Sequence, residues 1–408
     1  MKIAFALHGS RGDVQPAVAV AAKLVRRGHR VRLAVAEDLV EPIARTGIAT
    51  SALCPSTADL LRSPLIREDL KSKNPRVRLH ALREVGAYGA GESERVMGEL
   101  ADDSDVLATG LLAQDRAASI AESRRIAFVP LHYCPIRPSR SVSPLYHSLP
   151  PTVSLTTWTL ADRLMWLSTR GTDGALRARL GLPTDRRTLR RRLRAAGVPE
   201  IQAYDGSLFP GLAREWGPRR PVIGFLVPDK ETRSAINCGT GRTDEVVAFA
   251  DAGPAPVYVG FGSMRTPDER IEFIVGDLLS RGLRVIAHTD TELADHPRLL
   301  RVAGMVDHEE LLRHCRGAVH HGGAGTTGAA LRAGIPSVVG WFSADQPMWA
   351  ATVHRWGSGV GTRLSRLSAA HLSVLTEQRA RAAAQRLSAK LTAPEAAVDT
   401  ACDIITAR

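Results

Sequence analysis

Short apolar runs alternate with stretches that repeat small apolar residues at helical spacing. Lys2–Leu7 has strand length and character, and Gln15–Arg27 follows as a helix with Pro16 suited to its first turn and Gly28 as its stop. Arg30–Ala36 returns to strand and Leu39–Thr46 to helix, ending at Gly47. Val106–Ala108 and Ala127–Leu131 read as strands flanking a helix over Ala113–Ser123. The second half repeats the plan, with strands predicted over Val257–Gly260, Arg284–Ala287, Leu300–Ala303, Gly317–His320 and Ser337–Gly340. Helices are predicted over Asp268–Leu279, Glu309–His314, Thr326–Ala333, Gln346–Trp356, Glu377–Ala389 and Pro394–Thr406. Such βαβ alternation predicts an α/β protein whose parallel sheets are covered by helices. Segments 55–100 and 137–215 break the rhythm and read as insertions shaping a cleft for a second substrate. Trp158 and Trp166 in them, and Trp216 just beyond, read either as part of that cleft or as core anchors.

At 408 residues the chain exceeds one typical core. The stretch 215–245, rich in proline, glycine and charge, marks a join, so domains are expected at 1–220 and 221–390, with a closing helix at 391–408.

The chemistry concentrates in Gly317-Ala318-Val319-His320-His321-Gly322-Gly323-Ala324-Gly325-Thr326-Thr327. A strand ends in two histidines, a glycine loop follows, and a helix opens. Glycines let backbone N–H groups approach a ligand, and the helix start adds unpaired donors and partial positive charge. That combination suits a phosphate or diphosphate, although an ordinary strand-to-helix turn has the same outline. On the next strand-to-helix connection, Asp345-Gln346-Pro347 offers a carboxylate and an amide that match a row of hydroxyl groups, such as a sugar presents. The alternative is that Asp345 caps the helix carrying Pro347.

His321-Gly322-Gly323-Ala324-Gly325-Thr326-Thr327 and Ala344-Asp345-Gln346-Pro347 resemble the nucleotide-sugar signature of the UDP-glycosyltransferase superfamily, glycosyltransferase family 1. The chain is most similar to its actinobacterial branch that decorates glycopeptide antibiotics and related natural products. His8-Gly9-Ser10-Arg11-Gly12-Asp13-Val14-Gln15-Pro16, Thr109-Gly110-Leu111-Leu112 and the run from Asp251 to Ser263 extend the resemblance over nearly the whole chain. It implies a GT-B fold, two Rossmann-like doubly wound domains facing across a cleft, with the last helix crossing back to the first domain. It implies a metal-independent, inverting hexosyltransferase that uses a dTDP- or UDP-sugar as cosubstrate and no other cofactor. His321, Gly322, Gly323, Ala324, Gly325, Thr326 and Ser263 would meet the donor's phosphates. Val306, within Met305-Val306-Asp307-His308, would meet the base through its backbone. Asp345 and Gln346 would hold the sugar, and Ser10, Arg11 and Gly12 would touch the donor from the first domain. Many relatives carry a glutamate for the ribose hydroxyls where this chain has Ala329, a departure compatible with a deoxyribose donor. Asp13 is the candidate general base; its other reading is a cap on the helix beginning near Gln15. His8, His132 and Trp158 are candidate acceptor contacts, and the acceptor is expected to be a hydroxylated antibiotic aglycone, polyketide or peptide, or else a lipid or sterol-like molecule. A nucleotide-sugar epimerase or a non-catalytic helper on the same fold are the rival readings.

Net charge is +12, and the excess is almost all arginine. The run Arg186–Arg194 reads as a solvated helix face, or as a basic face drawn to an anionic membrane surface. No nucleic-acid motif accompanies it. Asp103-Ser104-Asp105 has the Asp-x-Asp outline of a cation site but precedes a first-half strand and reads as a solvated turn. Cys54, Cys134, Cys238, Cys315 and Cys402 are scattered and predict free thiols. With no membrane-length apolar run and no signal-peptide layout at the start, a cytosolic protein is expected.

Overall fold

The computed structural model describes residues 1–72, 74–144, 149–237 and 243–408; Cys238 lies outside them. The chain divides into two compact units, Met1–Ile236 with Thr392–Arg408, and Asn237–Leu391.

In the first unit the described strands are β1 (Lys2–Ala6), β2 (Arg30–Ala36), β3 (Ala49–Cys54), β4 (Val106–Thr109), β5 (Ala127–His132) and β6 (Ile201–Gln202), in the order β3-β2-β1-β4-β5-β6. In the second they are β7 (Val257–Gly260), β8 (Val285–His288), β9 (Leu299–Val302), β10 (Gly317–His320), β11 (Ser337–Trp341) and β12 (Gly359–Arg363), in the order β12-β11-β10-β7-β8-β9. Every pairing is parallel. Both sheets are therefore doubly wound, with the strand order reversing between β1 and β4 and between β7 and β10. Helices used below are α1 (Arg11–Arg26), α2 (Gln114–Arg124), α3 (Pro151–Arg179), α4 (Leu189–Ala195), α5 (Ala324–Arg332), α6 (Gln346–Arg355) and α7 (Pro394–Thr406).

Parallel strands buried on both faces need continuous apolar sequence, and Ile3, Ala4, Phe5 and Ala6 of β1 are all buried. Strand alternation then divides the second core: Val257 and Val259 pack with Ile271, Ile274 and Leu278 on one face, while Tyr258 packs with Ile286, Ala318 and Ala330 on the other.

Three expectations need correction. First, α1 begins at Arg11 rather than near Gln15, because Ser10 donates from its backbone N (2.8 Å) and its Oγ (3.0 Å) to Asp13 Oδ2. This serine–acid start fixes the first turn, so Pro16 sits inside the helix. Second, segment 137–215 contains the 29-residue helix α3. Third, the Arg186–Arg194 run is not one solvated face. Arg192 is buried and binds Asp173 (3.0 Å) and Ser119 (2.9 Å), Arg190 reaches Asp162 (3.2 Å), and Arg187 holds Asp185. Arg177 likewise grips Glu122 through both terminal nitrogens (2.8 and 3.0 Å). Arg177 and Arg192 are thus internal braces, while Arg186, Arg187, Arg191 and Arg194 stay exposed.

The helix α7 belongs to the first unit. Asp399 accepts Lys23 (2.9 Å) and Arg27 (2.7 Å), Asp403 accepts Arg27 (2.6 Å), and Ala397, Ala401, Cys402 and Ile405 are buried. Cys54, Cys134, Cys315 and Cys402 are buried free thiols. Among the described residues no helix is long and apolar enough to cross a membrane.

Candidate active site

In open parallel sheets, ligands bind beyond the carboxyl ends of the strands where the strand order reverses. Each unit places one of its glycine loops at that point.

In the second unit, β7 runs into Gly260-Phe261-Gly262-Ser263 and β10 into His321-Gly322-Gly323. Helix α5 starts at Ala324, two residues before the expected Thr326, with Gly323 as its N-cap. The N–H groups of Ala324, Gly325 and Thr326 therefore occupy the first turn, where no carbonyl lies one turn back. The first intrahelical bond is Thr327 N to Gly323 O (2.9 Å). No acidic side chain sits in that turn, so its positive end is not neutralised from within.

The paired histidines divide the labour. His320 is fully buried, and its Nδ1 accepts the Gly322 N–H (3.1 Å), which holds the loop. His321 turns its ring between the two loops. A Cβ added to Gly262 would lie 3.0 Å from its Cε1, and one added to Gly323 2.5 Å from its Nε2. Its Nδ1 is buried without a partner. Burial drives His321 down to about 4, so the imidazole is neutral at pH 7. Gly322 has φ +88°, and an added Cβ would stand 2.6 Å from Val339 Cγ1 and 3.2 Å from the Gln346 carbonyl. Gly322→Ala is expected to cost about 1–3 kcal/mol of stability and to weaken nucleotide binding, measured by thermal unfolding and calorimetry.

The next connection is strained. Ala344 has φ +58°, a left-handed conformation uncommon outside glycine. It leads into Asp345, which occupies the N-cap of α6 without a side-chain cap bond. Instead Asp345 Oδ2 accepts the Trp349 indole N–H (2.8 Å). Gln346 Oε1 accepts the Phe342 N–H (2.8 Å) and the Ser343 N–H (3.2 Å). The Gln346 side chain thus braces its own loop, and its amide N–H groups remain uncommitted among the described residues. Ser263 is exposed. The Val306 side chain is buried in the core beside Ala329, so a ligand would meet that segment through backbone only.

In the first unit, β1 runs into His8-Gly9-Ser10 and β4 into Gly110-Leu111-Leu112. Gly9 has φ +107°, and a Cβ there would lie 2.4 Å from Asp13 Oδ2, so only glycine admits the carboxylate. Arg11 and Gly12 open α1 beside it. Burial pushes the Asp13 carboxyl up from its usual value, against the lowering effect of the two Ser10 hydrogen bonds. Its other oxygen accepts no bond from another described side chain. Asp13 is therefore not the N-cap of a helix beginning near Gln15 but the third residue of one capped at Ser10, and its bonds to Ser10 use one oxygen.

Tyr133, one residue beyond β5, was not singled out from sequence. Its hydroxyl is buried without a partner, 3.7 Å from where a Gly110 Cβ would be. Burial raises that hydroxyl's pKa, and the Asp13 charge adds to the rise. His8 Nε2 is also buried and unpaired, and burial together with the Arg116 charge takes it down to about 4. Both unpartnered polar atoms lie in the unit that carries Asp13.

His132 is corrected. It is fully buried; Gln202 Nε2 donates to its Nδ1 (3.0 Å), and its Nε2 meets Gln114 Oε1 (3.2 Å). Arg137 and Glu200 complete the network. Burial would push the Glu200 carboxyl up, but Arg137 and Arg220 pull it down to about 2. His132 is a structural strut that no acceptor can touch. Trp158 lies half-buried on α3 with its indole N–H donated to the Val142 carbonyl (2.7 Å), the anchor reading. The Asp-x-Asp turn is also committed. Asp103 holds Lys2 and Asp105 accepts the Lys2 N–H (2.7 Å), and the open hollow of about 470 Å³ beside them lies at the amino ends of the strands.

Four histidines depart downward together: His8 and His321 to about 4, His132 and His320 to about 3. The unfolded chain takes up their protons near pH 6.5 while the folded chain resists. Stability is therefore full above about pH 6.5 and falls as pH drops toward 4, on the order of 1.4 kcal/mol per pH unit for each histidine that stays neutral. Thermal unfolding across that window is expected to show the midpoint falling steadily.

Residues 3–83 match the glycosyltransferase family 28 N-terminal domain, and residues 283–405 the erythromycin biosynthesis protein CIII-like C-terminal domain. The chain is 34% identical to the uncharacterized glycosyltransferase Rv1524 of Mycobacterium tuberculosis, over 99% of this chain and 98% of that protein. It is 31% identical to the vancomycin aglycone glucosyltransferase of Amycolatopsis orientalis, over 94% and 93%. Its fold is similar to the kitacinnamycin glycosyltransferase (TM-score 0.68, 16% identity, covering 100% and 98%). It is also similar to SsfS6 of Streptomyces sp. SF2575, solved with thymidine diphosphate (TM-score 0.63, 20% identity, covering 98% and 99%).

Proposed function

Since the chain belongs to the family of GT-B natural-product glycosyltransferases, we propose that it moves a hexose or deoxyhexose from a dTDP- or UDP-sugar to a hydroxyl of a natural product, with inversion. The observation that supports this most is the unneutralised start of α5 at the β7/β10 reversal, with neutral His321 beside it. A diphosphate leaving group gains charge as the sugar–oxygen bond breaks. Fixed N–H donors aimed at that charge stabilise the transition state more than the ground state.

In this reading the diphosphate rests on the Ala324, Gly325 and Thr326 N–H groups and accepts from His321. Asp345 and the Gln346 amide hold the sugar hydroxyls. The acceptor oxygen attacks the anomeric carbon, the bond to the diphosphate breaks, and the acceptor proton passes to Asp13. A buried carboxylate with a raised pKa suits that task better than a solvated one. The leaving group is carried by backbone donors, so turnover in the presence of EDTA is expected to persist. Ala329 in place of an acidic residue favours a donor without a ribose 2′-hydroxyl, hence dTDP.

The test is incubation with labelled dTDP- and UDP-glucose, with and without a panel of aglycones and lipid alcohols. Transfer to an acceptor with release of nucleoside diphosphate is expected. A changed sugar released without acceptor would instead mark an epimerase, and binding without turnover a helper protein.

A further inference from the structure

Helix α3 carries a row of exposed aliphatic side chains to which the proposed transfer assigns no role. Val153, Leu160, Leu164 and Leu167 are 45%, 58%, 57% and 43% exposed. At 3.6 residues per turn they fall within an arc of ~60°, one continuous outward stripe. Met165, 66% exposed, lies to one side. On the other side Arg163 and Arg170 stack on Trp166, 4.3 and 5.3 Å from its ring centre. The helix has two carboxylates, and both are turned inward: Asp162 binds Arg190 (3.2 Å), and Asp173 binds Arg192 (3.0 Å) and Ser119 (3.0 Å). The helix packs toward its two ends, where Ser154, Leu176 and Arg177 are buried.

Isolated exposed leucines need no explanation, but an aligned row of them does. We propose that this face of α3 docks flat on an anionic lipid bilayer. The outward surface holds aliphatic side chains flanked by Arg163 and Arg170 with no exposed acid of the helix among them, the composition of an interfacial helix. Its leucines would enter the acyl boundary while Arg163 and Arg170 meet lipid phosphates. A second copy of the chain fits less well, because a self-complementary contact would set these arginines against their own kind. A nucleic acid offers nothing to the leucines. The docking surface differs from the Arg186–Arg194 run, where Arg190 and Arg192 are tied to Asp162 and Asp173 and only the remaining arginines face outward. It stands whatever the acceptor is.

Sedimentation with phosphatidylcholine vesicles, with and without phosphatidylglycerol, tests it. The full-length protein is expected to pellet with the anionic vesicles at low salt and to release at high salt. Arg163→Gln with Arg170→Gln is expected to weaken binding by about fivefold per arginine. Leu160→Ser with Leu164→Ser is expected to abolish it, with the circular dichroism spectrum and turnover on a soluble acceptor unchanged. Absence of wild-type binding, or equal binding by both variants, overturns the proposal. So does a wild-type dimer that the leucine variant converts to monomer, which would make the stripe a contact between copies.

Discussion

Asp13→Asn is expected to lower kcat by ~10²–10⁴-fold while leaving the affinity for nucleoside diphosphate unchanged. The substitution preserves shape, and the new amide oxygen can still accept from Ser10, so α1 keeps its start. What is lost is a proton acceptor. Burial holds the Asp13 carboxyl above its usual range, so in the wild type the rate should rise with pH as Asp13 deprotonates. The asparagine variant should lose that limb of the profile. Ser10→Ala removes the Oγ donor that lowers the Asp13 pKa, and should move the same limb to higher pH. Rapid-quench kinetics with calorimetric nucleotide titration separates the two effects. Unchanged turnover would transfer the base role elsewhere.

His321→Ala is expected to lower kcat/KM for the donor by ~10²–10³-fold, with a matching loss in nucleotide affinity. Its neutral imidazole has a buried Nδ1 with no protein partner, an expensive state that an incoming phosphate oxygen would relieve. His320→Gln is the contrasting change. Its Nδ1 holds the Gly322 N–H, so its loss should appear first as a lower unfolding temperature. Both readings come from the same calorimetric and kinetic measurements.

The donor loop was legible because its parts carry strong local signals. Gly317–His320 is a short apolar run between a polar segment and a glycine cluster, and it forms a strand over those residues. The Rossmann-like halves were legible for the same reason. Other features were hidden by context. β12 (Gly-Val-Gly-Thr-Arg) resembles a loop, yet its glycines are there for packing: a Cβ at Gly361 would lie 2.4 Å from the Ala350 Cβ. His132 ends a strand as His320 does, and a parallel sheet buried on both faces gives no period to separate a strut from a site. Asp13 reads from sequence as a base or as the cap of a helix beginning near Gln15, because Ser10-Arg11-Gly12-Asp13 looks like loop until the Ser10 donors are seen to close on the carboxylate. Tyr133 left no trace, since a lone tyrosine after a strand gains meaning only from its neighbours in space.

The order in which the chain is synthesised has an unusual consequence. Domains generally fold in the order they leave the ribosome. Here the second unit is a continuous stretch and can complete itself, whereas the first must wait for α7, which emerges after all of the second. Until then Lys23 and Arg27 lack their carboxylate partners, and the apolar side of α1 meant for Cys402 and Ile405 stays uncovered. The later-born half can thus close its own core while this side of α1 still stands open.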